Sequence, residues 1–219
     1  MVAEFRYREI DSLRGLAVLL MVMVHAAAIW SPTQSSDTSS LSYIVAGLGG
    51  LAAPLFITIF GWGLIKSRSS NRANIIKAII LLILQILVNL SSPHLYQPFS
   101  PGILSLFALL IMLKPLIVKI TTNRTIFLLF WLSILLFYGV NSMLFSIQGE
   151  NNWDFRTNTE NLSTVISHLI LTGTYPVLPW ICYAVVGAFL GSSITEGGKT
   201  LPRNSTTLLI MIGICYCLF

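Results

Sequence analysis

The chain has 219 residues, 55% of them hydrophobic and only 10% charged, and its mean hydropathy of +0.80 excludes a soluble globular domain of this length. The formal charge of +5 gathers at the ends of apolar runs, so it reads as a topology signal with some attraction to membrane lipid, and no nucleic acid is expected as a partner. The three cysteines, Cys182, Cys215 and Cys217, fall in apolar segments with neither metal-ligand spacing nor a disulfide framework.

A helix needs about 20 mostly apolar residues to cross the hydrocarbon core. In chain order, candidate spans lie near Leu13 to Trp30, Tyr43 to Ile65, Ile75 to Leu90, Ile103 to Val118, Ile126 to Phe145, Val177 to Ile194 and Thr206 to Phe219. The expected fold class is therefore all-α, a polytopic transmembrane helix bundle of six to seven spans, with residues 1–219 forming a single membrane domain. The run Thr164 to Leu171 is apolar but too short to cross, which suits a re-entrant or interfacial helix. The last span ends without a flanking charge or anchor, so the carboxyl end reads as truncated, either a fragment or an abbreviated relative of something longer.

Basic residues set the expected orientation. Twelve of the thirteen Lys and Arg, among them Arg6, Arg8, Arg14, Lys66, Arg68, Arg72, Lys77, Lys114, Lys119, Arg124, Lys199 and Arg203, fall on one side of this topology. The opposite loops, Ser31 to Ser42, Ser91 to Ser100 and Ser146 to Tyr175, hold only Arg156 among basic residues, with Asp37, Glu150, Asp154 and Glu160. The positive-inside rule then makes the amino terminus cytoplasmic. A cleaved signal peptide is the rival reading of the start, since Ala26 to Ala28 mimics a cleavage site, but an arginine within the run and five further spans favour a retained helix.

The first span carries the residues most suggestive of chemistry. Arg14 and His25 lie within it with ten residues between them, and ionisable groups inside a membrane are functional candidates by default. Eleven helical steps of about 100° bring His25 to within roughly 20° of the face of Arg14, about 16 Å further along the axis. Asp11 and Ser12 are expected to cap the helix, with Asp11 pairing to Arg14. A buried, neutral His25 could take a proton from a hydroxyl or amine, whereas its plainer role is helix packing. His94 and His168 are expected on the same outer side, but the three histidines match no ligand spacing, so no metal is expected.

Further along, the Gly-rich second span with Pro54 allows close helix approach, and Gln85 and Asn89 share one face of the third. Lys66, Arg68 and Arg72 form a cytoplasmic cluster that could receive phosphates or could serve topology alone.

The pattern Arg-Gly-Leu-Ala-x-Leu-Leu-Met-Val-x-Val-His over Arg14 to His25 resembles the opening signature of the type 3 membrane acyltransferases. Ala53-Pro-Leu-Phe, Pro101-Gly-Ile-Leu and the run Thr172-Gly-Thr-Tyr-Pro-Val-Leu-Pro-Trp to Gly187 are similar to the branch that includes heparan-alpha-glucosaminide N-acetyltransferase and YeiB-like membrane proteins. The chain departs from the heparan branch in carrying His25 where that branch has an asparagine, and in having no histidine between Ala26 and Pro93.

The resemblance implies a plasma-membrane O- or N-acyltransferase that moves an acyl group, commonly acetyl, from cytoplasmic acetyl-CoA to a sugar hydroxyl or amine outside. It implies His25 as general base or transient acyl carrier, Arg14 as an electrostatic partner for the donor or the fold, Lys66, Arg68 and Arg72 toward the donor, and His94, Asn89 and His168 toward the acceptor. Its partners would be acyl-CoA, an extracytoplasmic glycan or amino sugar, membrane lipid and, optionally, a second copy of the chain. The alternatives are a small-solute carrier using His25, Asn89 and the Gly-Pro kinks, and a non-catalytic membrane protein.

Overall fold

The computed structural model describes residues 7–30, 40–144, 149 and 152–193, and every regular element among them is helical. The expected span Thr206 to Phe219, the flanking Arg6, Lys199 and Arg203, and most of the first outer loop lie outside these residues. Among the described residues, three helices are long and apolar enough to cross a membrane, or up to five if each of two bent pairs counts as one span.

The chain divides into two units at Ile59 and Phe60. The first contains α1 (Arg8–Trp30), α2 (Ser40–Gly50) and the start of α3 (Ala52–Lys66). Helix α1 begins a turn earlier than its sequence suggests. The Tyr7 carbonyl accepts from the Ile10 and Asp11 amides at 3.1 and 3.2 Å, so Asp11 lies in the first turn, where its carboxylate complements the helix dipole. Ser12 donates back to the Arg8 carbonyl at 3.0 Å instead of capping. Against α1, α2 brings Gly49 so close that a Cβ there would lie 2.3 Å from Cγ2 of Val24. The break at Leu51 precedes Pro54, whose carbonyl accepts from Thr58 Oγ1 at 2.8 Å.

In the second unit, helix α4 (Asn71–Ser91) is inside out relative to a helix of a soluble domain. It buries Asn74, Ala78, Gln85 and Asn89 along one stripe and exposes Ile75, Ile76, Ile79, Ile80, Ile83, Leu87 and Leu90. An apolar outer face over a polar inner stripe suits lipid as the outer solvent. Ser70 caps its start, accepting from the Ala73 amide at 3.3 Å.

The expected fourth span is not one straight helix. It divides into α5 (Ile103–Met112) and α6 (Lys114–Thr122), bent by 64°. Pro115 lies in the first turn of α6 and supplies no amide to continue the α5 ladder, which accounts for the bend. Helix α7 (Arg124–Leu144) follows. The apolar run Thr164 to Leu171 forms α9 (Leu162–Ser167) and a π-helical turn, His168–Thr172, after the short α8 (Trp153–Thr157). It meets α10 (Val177–Ser193) at 45°, the geometry of a broken span or a re-entrant loop. Leu178 leaves helical geometry ahead of Pro179.

The core of this unit joins Leu106, Leu110, Ile117, Trp131, Ile181, Cys182 and Val185. Helix α3 meets α10 backbone to backbone, since a Cβ on Gly61 would lie 2.1 Å from the Ala184 carbonyl oxygen. Phe60 stacks on Phe107 of α5 at 4.4 Å between ring centroids, and Phe127 meets Phe189 at 5.3 Å.

Candidate functional site

Arg14 and His25 belong to one unbroken helix, so the expected common face is kept. Arg14 Nη1 bonds Asp11 Oδ1 at 3.4 Å, with the arginine side chain 53% exposed. His25 is exposed, contrary to the expected burial, because α1 turns Ala17 and Leu20 inward and leaves the histidine outside that packed strip. Its Nδ1 lies 2.8 Å from the Met21 carbonyl oxygen. A carbonyl only accepts, so Nδ1 must carry the proton in this bond. In the neutral ring that leaves the Nε2 lone pair free to accept a proton from another group.

In the second unit, two clusters of polar residues lie at the two ends of α4, which at 1.5 Å per residue are about 30 Å apart. At its amino end, Lys66 closes α3, Arg68 lies in the connection, and Arg72 lies in the first turn of α4. The connection is ordered by hydrogen bonds. Ser69 Oγ donates to Asn74 Oδ1 at 2.5 Å and shares a 2.9 Å bond with Ser67 Oγ, while Lys114 Nζ donates to the Ser67 carbonyl at 2.6 Å. Lys77 lies near enough to Lys114 for their charges to repel. Basic-residue topology places Lys77 and Lys114 on this side but does not group them with this cluster. The bend before Pro115, which brings Lys114 to Ser67, has its signal in that proline.

At the carboxyl end of α4, the loop 92–102 and the segment 152–176 form a cap. Asn89, 1% exposed, accepts from Gln85 Nε2 at 2.9 Å and donates to the carbonyls of Pro98 and Ser100 at 3.1 and 2.8 Å. Gln85 in turn accepts from the Leu104 amide at 3.2 Å. The Asn89 amide is thus fully used in holding the loop. Trp153 Nε1 donates to the Leu95 carbonyl at 3.1 Å, and Gln97 Oε1 accepts from the Thr159 amide and hydroxyl at 2.6 and 2.9 Å. Ser100 Oγ donates to the Thr157 carbonyl, and Thr174 Oγ1 to that of Pro101 at 3.0 Å. Burial pushes the Tyr96 and Tyr175 phenols above their ordinary pKa, with repulsion from Tyr96 adding to the effect at Tyr175, so both remain donors at neutral pH.

His168 lies beneath this cap, 2% exposed. Its Nδ1 meets Thr172 Oγ1 at 2.7 Å, and that hydroxyl meets Ser167 Oγ at 3.2 Å. Phe155 presents an edge to the ring at 5.5 Å between centroids, and the Phe155 and Asn158 backbones also face it. Nε2 is buried without a hydrogen-bond partner of normal geometry among the described residues. Such an atom costs about 1–3 kcal/mol when left unpaired. His94, by contrast, is exposed in the turn after α4. The structure therefore brings Asn89 and His168 to one end of the unit and Lys66, Arg68 and Arg72 to the other. Among the described residues, no three His, Cys, Asp or Glu side chains are grouped to hold a metal ion.

No curated protein and no solved structure matches the chain. The catalytic family of heparan-alpha-glucosaminide N-acetyltransferase matches residues 6–215, nearly the whole sequence. With apolar helices long enough to cross a bilayer and a family match of that extent, the chain belongs to the heparan-alpha-glucosaminide N-acetyltransferase catalytic family of membrane acyltransferases.

Proposed function

We propose that the protein transfers an acetyl group from acetyl-CoA, on the cytoplasmic side of the plasma membrane, to the amine or hydroxyl of an amino sugar or glycan on the opposite side. The observation that carries this reading is the polarity of α4, with a basic, hydroxyl-rich connection at one end and a hydrogen-bonded cap poor in basic residues at the other. Phosphates of a CoA donor suit the first, and an uncharged polyol suits the second. Lys66, Arg68 and Arg72 hold the donor phosphates. Asn89 keeps the cap loop in place, and His94 and His168 meet the acceptor.

His25 acts as general base in this scheme. Its Nδ1–H is held by Met21, and its Nε2 takes the proton that the acceptor amine or hydroxyl loses as it attacks the acetyl carbonyl. The thioester C–S bond then breaks, and Nε2 returns the proton to the departing CoA thiolate. Taking the acetyl group transiently on the same Nε2 is the variant of this route in which the ring acts as nucleophile. Arg14, on the same face of α1, provides a positive charge for the donor or for the fold. The single membrane domain of residues 1–219 is part of this proposal.

The test is radiolabelled acetyl transfer in proteoliposomes of known orientation, with acetyl-CoA supplied to one face and glucosamine to the other. Label should reach glucosamine only when acetyl-CoA meets the face bearing Lys66, Arg68 and Arg72. Transfer from either face, or none, contradicts the scheme.

A further inference from the structure

The cap holds a buried ring nitrogen, Nε2 of His168, that the fold does not engage in a hydrogen bond of normal geometry. His168 is 2% exposed, its Nδ1 is engaged by Thr172 at 2.7 Å, and its Nε2 has no hydrogen bond of normal geometry among the described residues, although the Phe155 and Asn158 backbones face the ring. Its neighbours Thr172 and Ser167 are bonded to one another at 3.2 Å, so neither hydroxyl is directed to Nε2. Buried polar atoms are nearly always paired, and an unpaired one calls for a particular explanation. The backbone here is also unusual, because His168 opens a π-helical turn closed by the Gly173 amide on the His168 carbonyl at 3.0 Å. Single π turns within helices occur often at functional positions.

We infer that Nε2 of His168 is a binding position for one hydroxyl or amine of a neutral sugar, reached when the Phe155 ring turns aside. The ligand class follows from the tautomers. The Thr172 hydroxyl can donate to Nδ1 or accept from it, so Nε2 is either a donor or an acceptor. A hydroxyl or a neutral amine pairs with both forms, whereas a carboxylate accepts only and an ammonium donates only. Phe155 is the barrier because its ring edge lies over the imidazole, and at 38% exposed it has room outward to rotate. Its apolar ring and Trp153, 46% exposed in the same short helix, offer the flat surfaces on which sugar rings rest. This inference rests on the acyltransferase reading for its sugar and deepens it by naming the contact. His168 is a positioning residue here, since it binds the acceptor without taking part in bond making.

The experiment uses the whole protein in nanodiscs, with diethyl pyrocarbonate labelling of each histidine read by peptide mass spectrometry. Exposed Lys119, whose amine the reagent also modifies and which has no part in the acceptor site, is the reference within each sample, which also corrects for reagent consumed by the sugar. In the wild type His168 should label slowly, and in Phe155→Ala rapidly, with glucosamine protecting His168 in both but not Lys119. Acceptor kinetics provide the second readout. His168→Asn keeps an amide at the Nδ1 position and removes Nε2, so the acceptor KM should rise about tenfold, the loss of one hydrogen bond, with the acetyl-CoA KM unchanged. His168→Gln keeps an amide at the Nε2 position and should restore the acceptor KM. Transfer to glucosamine with His168 unprotected and the His168→Asn acceptor KM unchanged overturns the inference and leaves the acyltransferase standing. Protection of His168 without any acetyl transfer supports the subsite and overturns the acyltransferase.

Discussion

Nδ1 of His25 donates to the carbonyl of Met21 at 2.8 Å, one turn back in the same helix, and so leaves Nε2 as the proton-accepting atom of the neutral ring. This arrangement needs no burial, which is why an exposed histidine remains suited to the role. His25→Ala should lower kcat for acetyl transfer by about 10²–10⁴-fold, the usual contribution of a positioned general base. Because the side chain is exposed, the thermal midpoint should move by no more than about 1–2 °C, the effect of a surface substitution. Transfer assays beside a melting curve in detergent check both halves.

Removal of charge at the other cluster should act on the donor alone. Arg68→Gln combined with Arg72→Gln should raise the acetyl-CoA KM about tenfold or more, since charge-assisted bonds to phosphate contribute about 1.5–3 kcal/mol each. The acceptor KM should stay constant, and the salt dependence of donor binding should weaken. Equal changes in both Michaelis constants would instead indicate a disturbed fold.

Asn89 is a structural residue by the count of its bonds. Asn89→Ala leaves Gln85 Nε2 and the carbonyls of Pro98 and Ser100 without that partner inside the protein, so it should destabilise the unit by about 2–4 kcal/mol. Hydrogen exchange should then quicken in residues 95–100 before it does in α10. Unchanged protection of that loop would show that other bonds hold the cap.

Two glycines make a paired test of packing. Gly61→Val must displace the Ala184 backbone, whose oxygen would lie 2.1 Å from the new Cβ, and should prevent stable folding or cost about 3 kcal/mol or more. Gly15, within α1, has nothing within 4 Å of where a Cβ would stand, so Gly15→Ala should be neutral or stabilise by about 0.5–1 kcal/mol. Thermal midpoints of both variants in the same detergent settle the comparison.

The helices were legible in the sequence wherever an apolar run was uninterrupted, as in α1 and α4, because hydrocarbon thickness alone sets their length. The fourth span was not, since the apolar run resumes at Leu116 to Val118 beyond Lys114 and Pro115 while the hydrogen-bond ladder of α5 does not. The face shared by Arg14 and His25 follows from helical periodicity and could be read directly. The exposure of His25 could not, because it depends on which side of α1 meets its neighbour. His168 shows the same limit more sharply. Its burial depends on a cap closed by Ser100 to Thr157 and Gln97 to Thr159, contacts 57 and 62 residues apart, for which local sequence holds no signal.

That this chain moves acetyl groups through His25 is tested most directly by acetyl transfer from labelled acetyl-CoA to glucosamine by the purified protein in nanodiscs, with His25→Ala and His25→Gln assayed in parallel at equal folded concentration. Saturable transfer by the wild type, and loss of at least about 10²-fold in both variants, is the predicted result. Wild-type turnover in His25→Ala would contradict it.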